Sequence, residues 1–228
     1  MLNFLGIGGA FNPEYGNNSA YIKRDKGLII IDCGSTVFGD IKPKIDAADS
    51  NDIHIFITHT HTDHVGSLGT TLDYVYYVKK GKANLYFPDP KIIDMLIMMK
   101  ISTNHYIFNS ELTNEVCGLT VSFYETKHLL DNCYGLIIKD NHQTICYSSD
   151  CSEITLLQDF LQGKINTLYL DVSSNESKVH VPYKSLLTLV PNPADRSRLY
   201  VMHLDKYFDK KQAIKDGFNV AERECDAL

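Results

Sequence analysis

The stretch Thr58-His59-Thr60-His61-Thr62-Asp63-His64 places three histidines and one aspartate within seven residues, directly after the apolar run at residues 53–57. Side chains two residues apart project to the same side of an extended segment, so His59 and His61 can face one point together. The last two residues of the stretch turn elsewhere if the backbone bends before them. Folding alone does not require so many imidazole and carboxylate groups, although a solvated loop after a buried strand is the alternative. We therefore predict a metal-binding loop that serves two metal ions.

Length and composition describe an ordinary globular protein. The chain has 228 residues, of which 44% are hydrophobic and 22% charged, and this size predicts one domain spanning residues 1–228. The net charge of −6 and the pI of about 5.8 argue against a broad basic surface for extended nucleic acid. Metal ions reverse this sign locally, so a small anionic substrate is compatible with the composition.

The cysteines and the hydropathy pattern predict a cytoplasmic protein that does not enter a membrane. The six cysteines form no CxxC pair and most lie beside apolar runs, so we expect free thiols in a reducing compartment. The N-terminal residues lack the basic region and the long apolar core of a signal peptide. The most apolar later run, residues 92–101, contains Asp94 and Lys100 and is too short to cross a bilayer.

Hydrophobic periodicity predicts strands alternating with helices. The predicted strands lie at residues 2–5, 20–23, 28–31, 53–57, 85–87, 119–124, 134–139, 144–147, 167–170 and 199–202. The predicted helices lie at residues 38–48, 66–80, 90–99, 153–162, after Pro182, and at 210–216, with Gly81, Gly163 and Gly217 ending three of them. Residues 105–114 are expected to be irregular, with His105 and His142 at the surface.

Three predicted strands each lead to a further metal-binding side chain, namely His128, Asp150 and His203. Each of these residues alone is compatible with a surface position at a strand end. Together with the four candidates of the HxHxDH stretch they make seven, the number of ligands that a two-metal hydrolase needs.

The seven candidates divide into two sets with one shared residue. The first set contains His59, His61 and His128. The second set contains Asp63, His64 and His203, and Asp150 bridges the two sets. Nitrogen and carboxylate ligands without thiolate suit Zn²⁺, with Mn²⁺ or iron as the alternatives. Asp32, which follows a predicted strand, is either a turn residue or a carboxylate that orients a ligand histidine.

The order HxHxDH, then histidine, aspartate and histidine after successive strands, resembles the metallo-β-lactamase superfamily over nearly the whole chain. That resemblance implies a four-layer αββα sandwich with the metal ions at one edge of the two sheets. The stretches Phe4-Leu5-Gly6-Ile7-Gly8-Gly9, Asn18-Ser19-Ala20-Tyr21 and Ile31-Asp32-Cys33-Gly34 are similar to the ribonuclease Z-like phosphodiesterases. In that branch Asp32 would orient a ligand histidine.

The chain departs from the bacterial ribonuclease Z enzymes at two places. Those enzymes insert a long tRNA-gripping arm between the ligands that match His128 and Asp150, which here lie only 22 positions apart. Their HEAT-like motif is replaced by Leu170-Asp171-Val172-Ser173. A compact enzyme without the arm resembles the anti-Pycsar proteins of phages and bacteria, which hydrolyse cyclic mononucleotides. The resemblance also implies a homodimer.

The expected chemistry is hydrolysis of a phosphodiester in a small nucleotide. Asp63 is expected to act as ligand and proton acceptor, and His180, just before the predicted Pro182 helix, as proton donor or phosphate contact. A surface-loop histidine is the alternative for His180. The competing functions are RNA 3′-processing of the ribonuclease Z type, lactone or thioester hydrolysis, and a metal-stabilised binding subunit without turnover.

Overall fold

The computed structural model describes residues 1–25, 27–129 and 131–224, which contain two β-sheets. The strands of the first sheet, β1 to β6 in both chain order and spatial order, are Asn3–Gly6, Ser19–Arg24, Gly27–Ile31, Ile53–Phe56, Ala83–Tyr86 and Tyr106–Asn109. Strands β1 to β3 pair antiparallel, and β3 to β6 run parallel.

The second sheet has the spatial order β14-β13-β11-β10-β9-β8-β7, and β12 pairs with β11 beside this path. Its strands, β7 to β14 in chain order, are Thr113–Val116, Leu119–Glu125, Tyr134–Lys139, Thr144–Tyr147, Thr167–Ser173, Val181–Pro182, Leu199–Met202 and Asn219–Val220. Strands β7 to β10 are antiparallel, whereas β10, β11, β13 and β14 run parallel. The carboxyl ends of β10, β11 and β13 therefore meet at one edge.

Helices connect the parallel strands of both sheets. Those of the first sheet, α1 to α4, are Val37–Ala47, Thr62–Val65, Leu68–Asp73 and Lys91–Met98. Those of the second sheet, α5 to α8, are Leu157–Leu161, Tyr183–Leu189, Pro193–Arg196 and Lys210–Lys215. Helix α1 buries Val37, Ile41 and Ile45, one residue per turn, which is the pattern of a helix that covers a sheet with one face.

The two sheets pack face to face. The ring of Phe56 in β4 lies 5.7 Å from that of Phe123 in β8, and the ring of Phe4 in β1 lies 5.3 Å from that of Tyr169 in β11. The buried side chains of both sheets belong to one hydrophobic core. Because each sheet has one face against the other sheet, the crossover helices cover the outer faces. The predicted αββα sandwich is confirmed.

The segment at residues 105–114, predicted to be irregular, instead forms β6 and β7. These strands lie at the edges of the two sheets, where solvent accepts the polar side chains that made the segment look like a loop. The prediction for His105 was also wrong, because the residue is buried. Its Nδ1 lies 2.6 Å from Asp73 Oδ1, and its ring stacks on Tyr76 at 4.2 Å.

Three predicted elements differ from the structure by three or more residues at one end. Residues 66–80 form α3 followed by a π-helical turn, and the left-handed residue after it is Lys80 (φ 59°) rather than Gly81. Gly81 instead allows close chain contact, since a Cβ there would lie 2.1 Å from the Ser50 carbonyl oxygen. The helix predicted at 153–162 shrinks to α5, and the strand predicted at 167–170 extends to Ser173 because its end pairs with β12.

The cysteines and helices agree with the other compositional predictions. Five cysteines lie in the described part of the chain and all are free thiols, whereas Cys225 lies outside the described residues. None of the helices formed by these residues is long and apolar enough to cross a membrane.

Candidate metal centre

The HxHxDH stretch leaves the carboxyl end of β4 and bends into α2. His61 is the extended residue that precedes the helix (φ −65°, ψ 150°), and its carbonyl accepts hydrogen bonds from the amides of His64 and Val65. This bend separates the side chains of His59 and His61 from those of Asp63 and His64. The stretch therefore presents two pairs of donors to two different points.

The first donor group contains His59, His61, His128 and Asp150, with one ligand atom of each within 4.8 Å of the others. His59 Nε2 lies 3.0 Å from His61 Nδ1. Asp150 Oδ2 lies 3.8 Å from His59 Nε2 and 3.6 Å from His128 Nε2. Three nitrogens and one oxygen thus surround one point, a donor set that suits Zn²⁺.

The second donor group contains Asp63, His64, His203 and again Asp150. The Nε2 atoms of His64 and His203 each lie 3.4 Å from Asp63 Oδ2. Both also lie 3.3 Å from Asp150 Oδ1. Asp150 therefore turns one oxygen to each group. The structure brings together all seven residues that the sequence singles out as ligands, in the two sets expected.

Hydrogen bonds behind the centre orient four of its histidines. The second ring nitrogens, Nδ1 in each case, contact the following partners: His59 the Thr58 hydroxyl at 3.1 Å, His64 the Asp32 carboxylate at 2.8 Å, His128 the Val179 carbonyl at 3.0 Å, and His203 the Asp171 carboxylate at 3.1 Å. Such contacts hold the ring and its tautomer so that Nε2 faces the metal position.

Unpaired polar atoms test whether the site fits metal ions. His64 Nε2, His128 Nε2 and Asp150 Oδ1 are buried without a hydrogen-bond partner among the described residues. A buried polar atom without a partner costs about 1–3 kcal/mol, so proteins rarely leave several of them in one place. All three atoms face the donor groups, and divalent cations would satisfy them.

Left-handed backbone occurs at three of the strand ends that carry the site. Asp32, Ser149 and His203 follow β3, β10 and β13 and adopt left-handed φ angles of 63°, 56° and 57°. Such conformations cost about 1–3 kcal/mol outside glycine and persist where the surrounding structure requires them. Here they turn each chain sharply at the sheet edge, which points the side chains of Asp32, Asp150 and His203 into the site.

The histidines of the first group that carry a pKa shift favour their neutral forms. Burial, followed by the nearby His64, lowers the pKa of His59 well below its ordinary value. Burial and then His128 lower the pKa of His61. Neutral imidazole is the form that binds a metal ion, so these side chains need not lose a proton at pH 7.

The histidines of the second group instead favour their protonated forms. Burial lowers the pKa of His203, but the carboxylates of Asp150 and Asp171 outweigh it and raise the pKa to about 10. Asp150 and Asp32 likewise raise the pKa of His64 against the effect of burial. Protonated imidazoles would have to release these protons to bind a metal ion.

His180 lies beside the centre rather than in the surface loop that was its alternative. Its Nδ1 contacts Asp171 Oδ2 at 2.7 Å, and about a quarter of its side chain is exposed (26%). Its ring lies 5.5 Å from that of His128 and 5.1 Å from that of His203. Burial lowers the pKa of His180, but the hydrogen bond to Asp171 more than offsets this and raises it.

Asp171 is the site residue that sequence reasoning missed. This buried carboxylate contacts both His180 and His203 and accepts a hydrogen bond from the Cys151 amide at 2.9 Å. The signal was present, because Asp171 follows an apolar strand run just as Asp32 does. Comparison of residues 170–173 with the HEAT-like motif of the ribonuclease Z enzymes does not reveal this role, because the motif is absent here. His142, in contrast, is exposed as expected.

Asp32→Asn is expected to lower metal affinity by about 10–100-fold, because it weakens the hydrogen bond that orients His64. The measurement is competition with a chromophoric chelator, with Asp94→Asn, an exposed aspartate of α4, as the matched control. Equal affinities of the two variants would show that Asp32 does not orient a ligand.

Comparison with known proteins identifies a matching family and its relatives. A family model described as "Anti-Pycsar protein Apyc1" matches residues 1–224. The Anti-Pycsar protein Apyc1 of Bacillus phage 010DV004 is 26% identical over 244 aligned positions that cover 92% of each chain.

Two solved structures share the fold over nearly their whole length. The metallo-beta-lactamase fold protein YhfI from Bacillus subtilis superposes with a TM-score of 0.74 at 17% identity, covering 97% of this chain and 95% of its own. The short form of human tRNase Z superposes with a TM-score of 0.70 at 17% identity, covering 98% and 96%. These likenesses establish the metallo-β-lactamase fold for this chain.

The fold, the site and the relatives agree with one another. The two sheets place histidines and aspartates in two donor groups at one edge, and buried atoms of these groups have no hydrogen-bond partner in the part of the chain that the structure describes. The matching family model extends over nearly the whole chain. The chain is therefore a metal-dependent hydrolase and belongs to the Anti-Pycsar protein Apyc1 family.

Proposed function

We propose that the protein hydrolyses the phosphodiester of a 3′,5′-cyclic mononucleotide and thereby removes a cyclic-nucleotide antiviral signal. The observation that supports a two-metal centre is the position of Asp150, whose two oxygens face different donor groups at 3.3–3.8 Å. Membership of the Anti-Pycsar protein Apyc1 family supports the substrate class. The homodimer and the cytoplasmic location expected from the sequence stay predictions.

The residues proposed to hold the two ions are the seven donors described above. His59, His61 and His128 would hold one ion and Asp63, His64 and His203 the other, with Asp150 between them. Imidazole and carboxylate donors suit Zn²⁺, with Mn²⁺ as the alternative. Divalent ions at such a centre neutralise charge on phosphoryl oxygens and lower the pKa of a water molecule.

Asp63 is proposed to act as a proton acceptor as well as a ligand. Its Oδ2 is shared between His64 and His203, and these contacts, working against burial, lower the pKa of Asp63. The carboxylate is therefore ionised at pH 7 and lies inside the second donor group, where it can accept a proton from an attacking water.

His180 is proposed to donate a proton to the leaving oxygen. Opening a cyclic mononucleotide releases a sugar alkoxide, which is a poor leaving group unless it is protonated. Because Asp171 occupies Nδ1 of His180, Nε2 is the ring nitrogen that remains for a substrate. The ring lies beside members of both donor groups, which suits contact with a phosphate bound between them.

The short connection between His128 and Asp150 supports a small substrate. The strands among its described residues are β9 and β10, which run antiparallel as a hairpin. The net charge of −6 also opposes wrapping of a polyanion such as tRNA. Cyclic mononucleotides, which carry a single phosphate, fit both features.

A panel of substrates tests the proposed activity. With Zn²⁺ or Mn²⁺ present, the purified protein is expected to linearise cyclic CMP, cyclic UMP or cyclic AMP and to leave a pre-tRNA and a lactone intact, as followed by chromatography. Asp150→Ala should lower kcat/KM by about 10³-fold, which corresponds to about 4 kcal/mol of transition-state stabilisation. Cleavage of the pre-tRNA or the lactone alone would overturn the proposal.

The proton-donor role of His180 predicts a dependence on the leaving group. His180→Gln should lower kcat for a cyclic mononucleotide by about 10²–10³-fold, because the alkoxide then leaves without a proton. The same variant should act almost normally on bis(p-nitrophenyl) phosphate, whose nitrophenolate leaves unprotonated. His142→Gln, at an exposed histidine, is the matched control. Equal losses on both substrates would contradict the role.

A further inference from the structure

A second set of metal-binding side chains lies at the opposite end of β4 from the metal centre. Asp52 precedes β4, His54 lies within it and Cys117 occupies the turn between β7 and β8, and one donor atom of each lies within 4.8 Å of the others. Asp52 Oδ1 lies 2.8 Å from His54 Nε2 and 3.6 Å from Cys117 Sγ. Bond lengths of about 2.0–2.3 Å to zinc place tetrahedral ligand atoms about 3.3–3.5 Å apart, so the separation from Cys117 fits and the hydrogen-bonded separation from His54 would widen by about half an ångström.

Tyr86 orients His54 for this role. Its hydroxyl lies 3.0 Å from His54 Nδ1, and its own ring is stacked on Phe56 with centroids 4.2 Å apart and planes 4° apart. With a cation between the three donors, Nδ1–H would donate to the tyrosine oxygen, and the lone pair of Nε2, which otherwise donates its hydrogen to Asp52, would be free to bind the ion. This is the second-nitrogen contact that metal-binding histidines have in proteins.

Cys117 occupies a position where cysteine has no conformational advantage. Together with Gly118 it forms the two-residue turn between β7 and β8, and both residues have positive φ angles, of 50° and 73°. Turns of this type favour asparagine, aspartate or glycine. Of the five cysteines in the described ranges, Cys117 is partly exposed and the other four are buried.

Gly27 leaves the space in which the three donors meet. A Cβ at this position would lie 2.6 Å from Cys117 Sγ and 2.7 Å from an Asp52 carboxylate oxygen. Burial, together with that carboxylate, raises the pKa of the Cys117 thiol to about 11. The thiol is therefore protonated when no cation is present, and a divalent cation is the partner that stabilises thiolate and carboxylate side by side.

We propose that Asp52, His54 and Cys117 bind one Zn²⁺ ion, with the fourth coordination position open to solvent. On binding, the S–H bond of Cys117 breaks, its sulfur binds the ion and the proton leaves to solvent, so no oxidant or reductant is required. Asp52 and His54 belong to the first sheet and Cys117 to the second. The ion therefore joins the two sheets at the end away from the metal centre, independently of the proposed hydrolase activity.

Cobalt spectroscopy distinguishes this site from the metal centre. Every donor of the metal centre is nitrogen or oxygen, so a thiolate-to-cobalt charge-transfer band in the near ultraviolet can arise only where cysteine binds the ion. In metal-free full-length protein titrated with Co²⁺ to saturation, this band is expected to reach the amplitude of one cobalt–thiolate site per chain, with the other added ions bound at the metal centre. Zn²⁺ added afterwards should remove it.

Two variants and one chemical readout complete the test. Cys117→Asn, which tolerates the left-handed turn, and His54→Ala should both lose or greatly weaken the band, whereas His142→Ala should keep it. In the unmodified chain, Zn²⁺ should slow alkylation of Cys117, as located by peptide mass spectrometry. Absence of the band in the unmodified protein at saturating Co²⁺, or its full survival in Cys117→Asn, would overturn the proposal.

Discussion

The buried carboxylate of Asp150 is the interaction on which this structure depends. The residue is 2% exposed, and its two oxygens face histidines of both sheets, namely His59 and His64 after β4, His128 after β8 and His203 after β13. A charge buried to this degree is tolerated only when opposite charge and hydrogen-bond donors surround it. The left-handed turns at the strand ends and the meeting of both sheets at one edge provide that surrounding.

The two sheets support this carboxylate in equivalent ways. In the first sheet Asp32 holds His64 from behind, and in the second sheet Asp171 holds His203. The equivalence ends at Asp171, whose other oxygen also holds His180. The side of the centre built by the second sheet thus carries a partly exposed histidine next to the donors, the residue proposed above as proton donor.

Substrate choice lies outside the fold itself. The same architecture is present in proteins as different as YhfI and a human tRNase Z. A shared fold therefore constrains where the chemistry occurs and leaves the substrate to loops and surface charge. In this chain the connection from β8 to β10 is short and the net charge is −6. These two features support the small substrate proposed above.

Several features could be predicted because they depend on residues close in sequence. Strands β9 and β10 have the bounds that their apolar patterns predict, and the HxHxDH stretch identifies its donors by spacing alone. The edge strands β6 and β7 could not be predicted in this way, since pairing with a neighbour rather than apolar content makes them strands. His105 looked like a surface residue because its partners, Asp73 and Tyr76, lie about thirty positions earlier.

The sequence by itself determined the kinds of donor, their order along the chain and the strands that carry them. Only the tertiary structure decided which donors share a point, that Asp150 lies between two groups, and that Asp171 stands behind His180 and His203. The physical reason is that these contacts join residues of two different sheets. Their separation is set by how the sheets pack on each other, which local patterns of hydrophobicity do not encode.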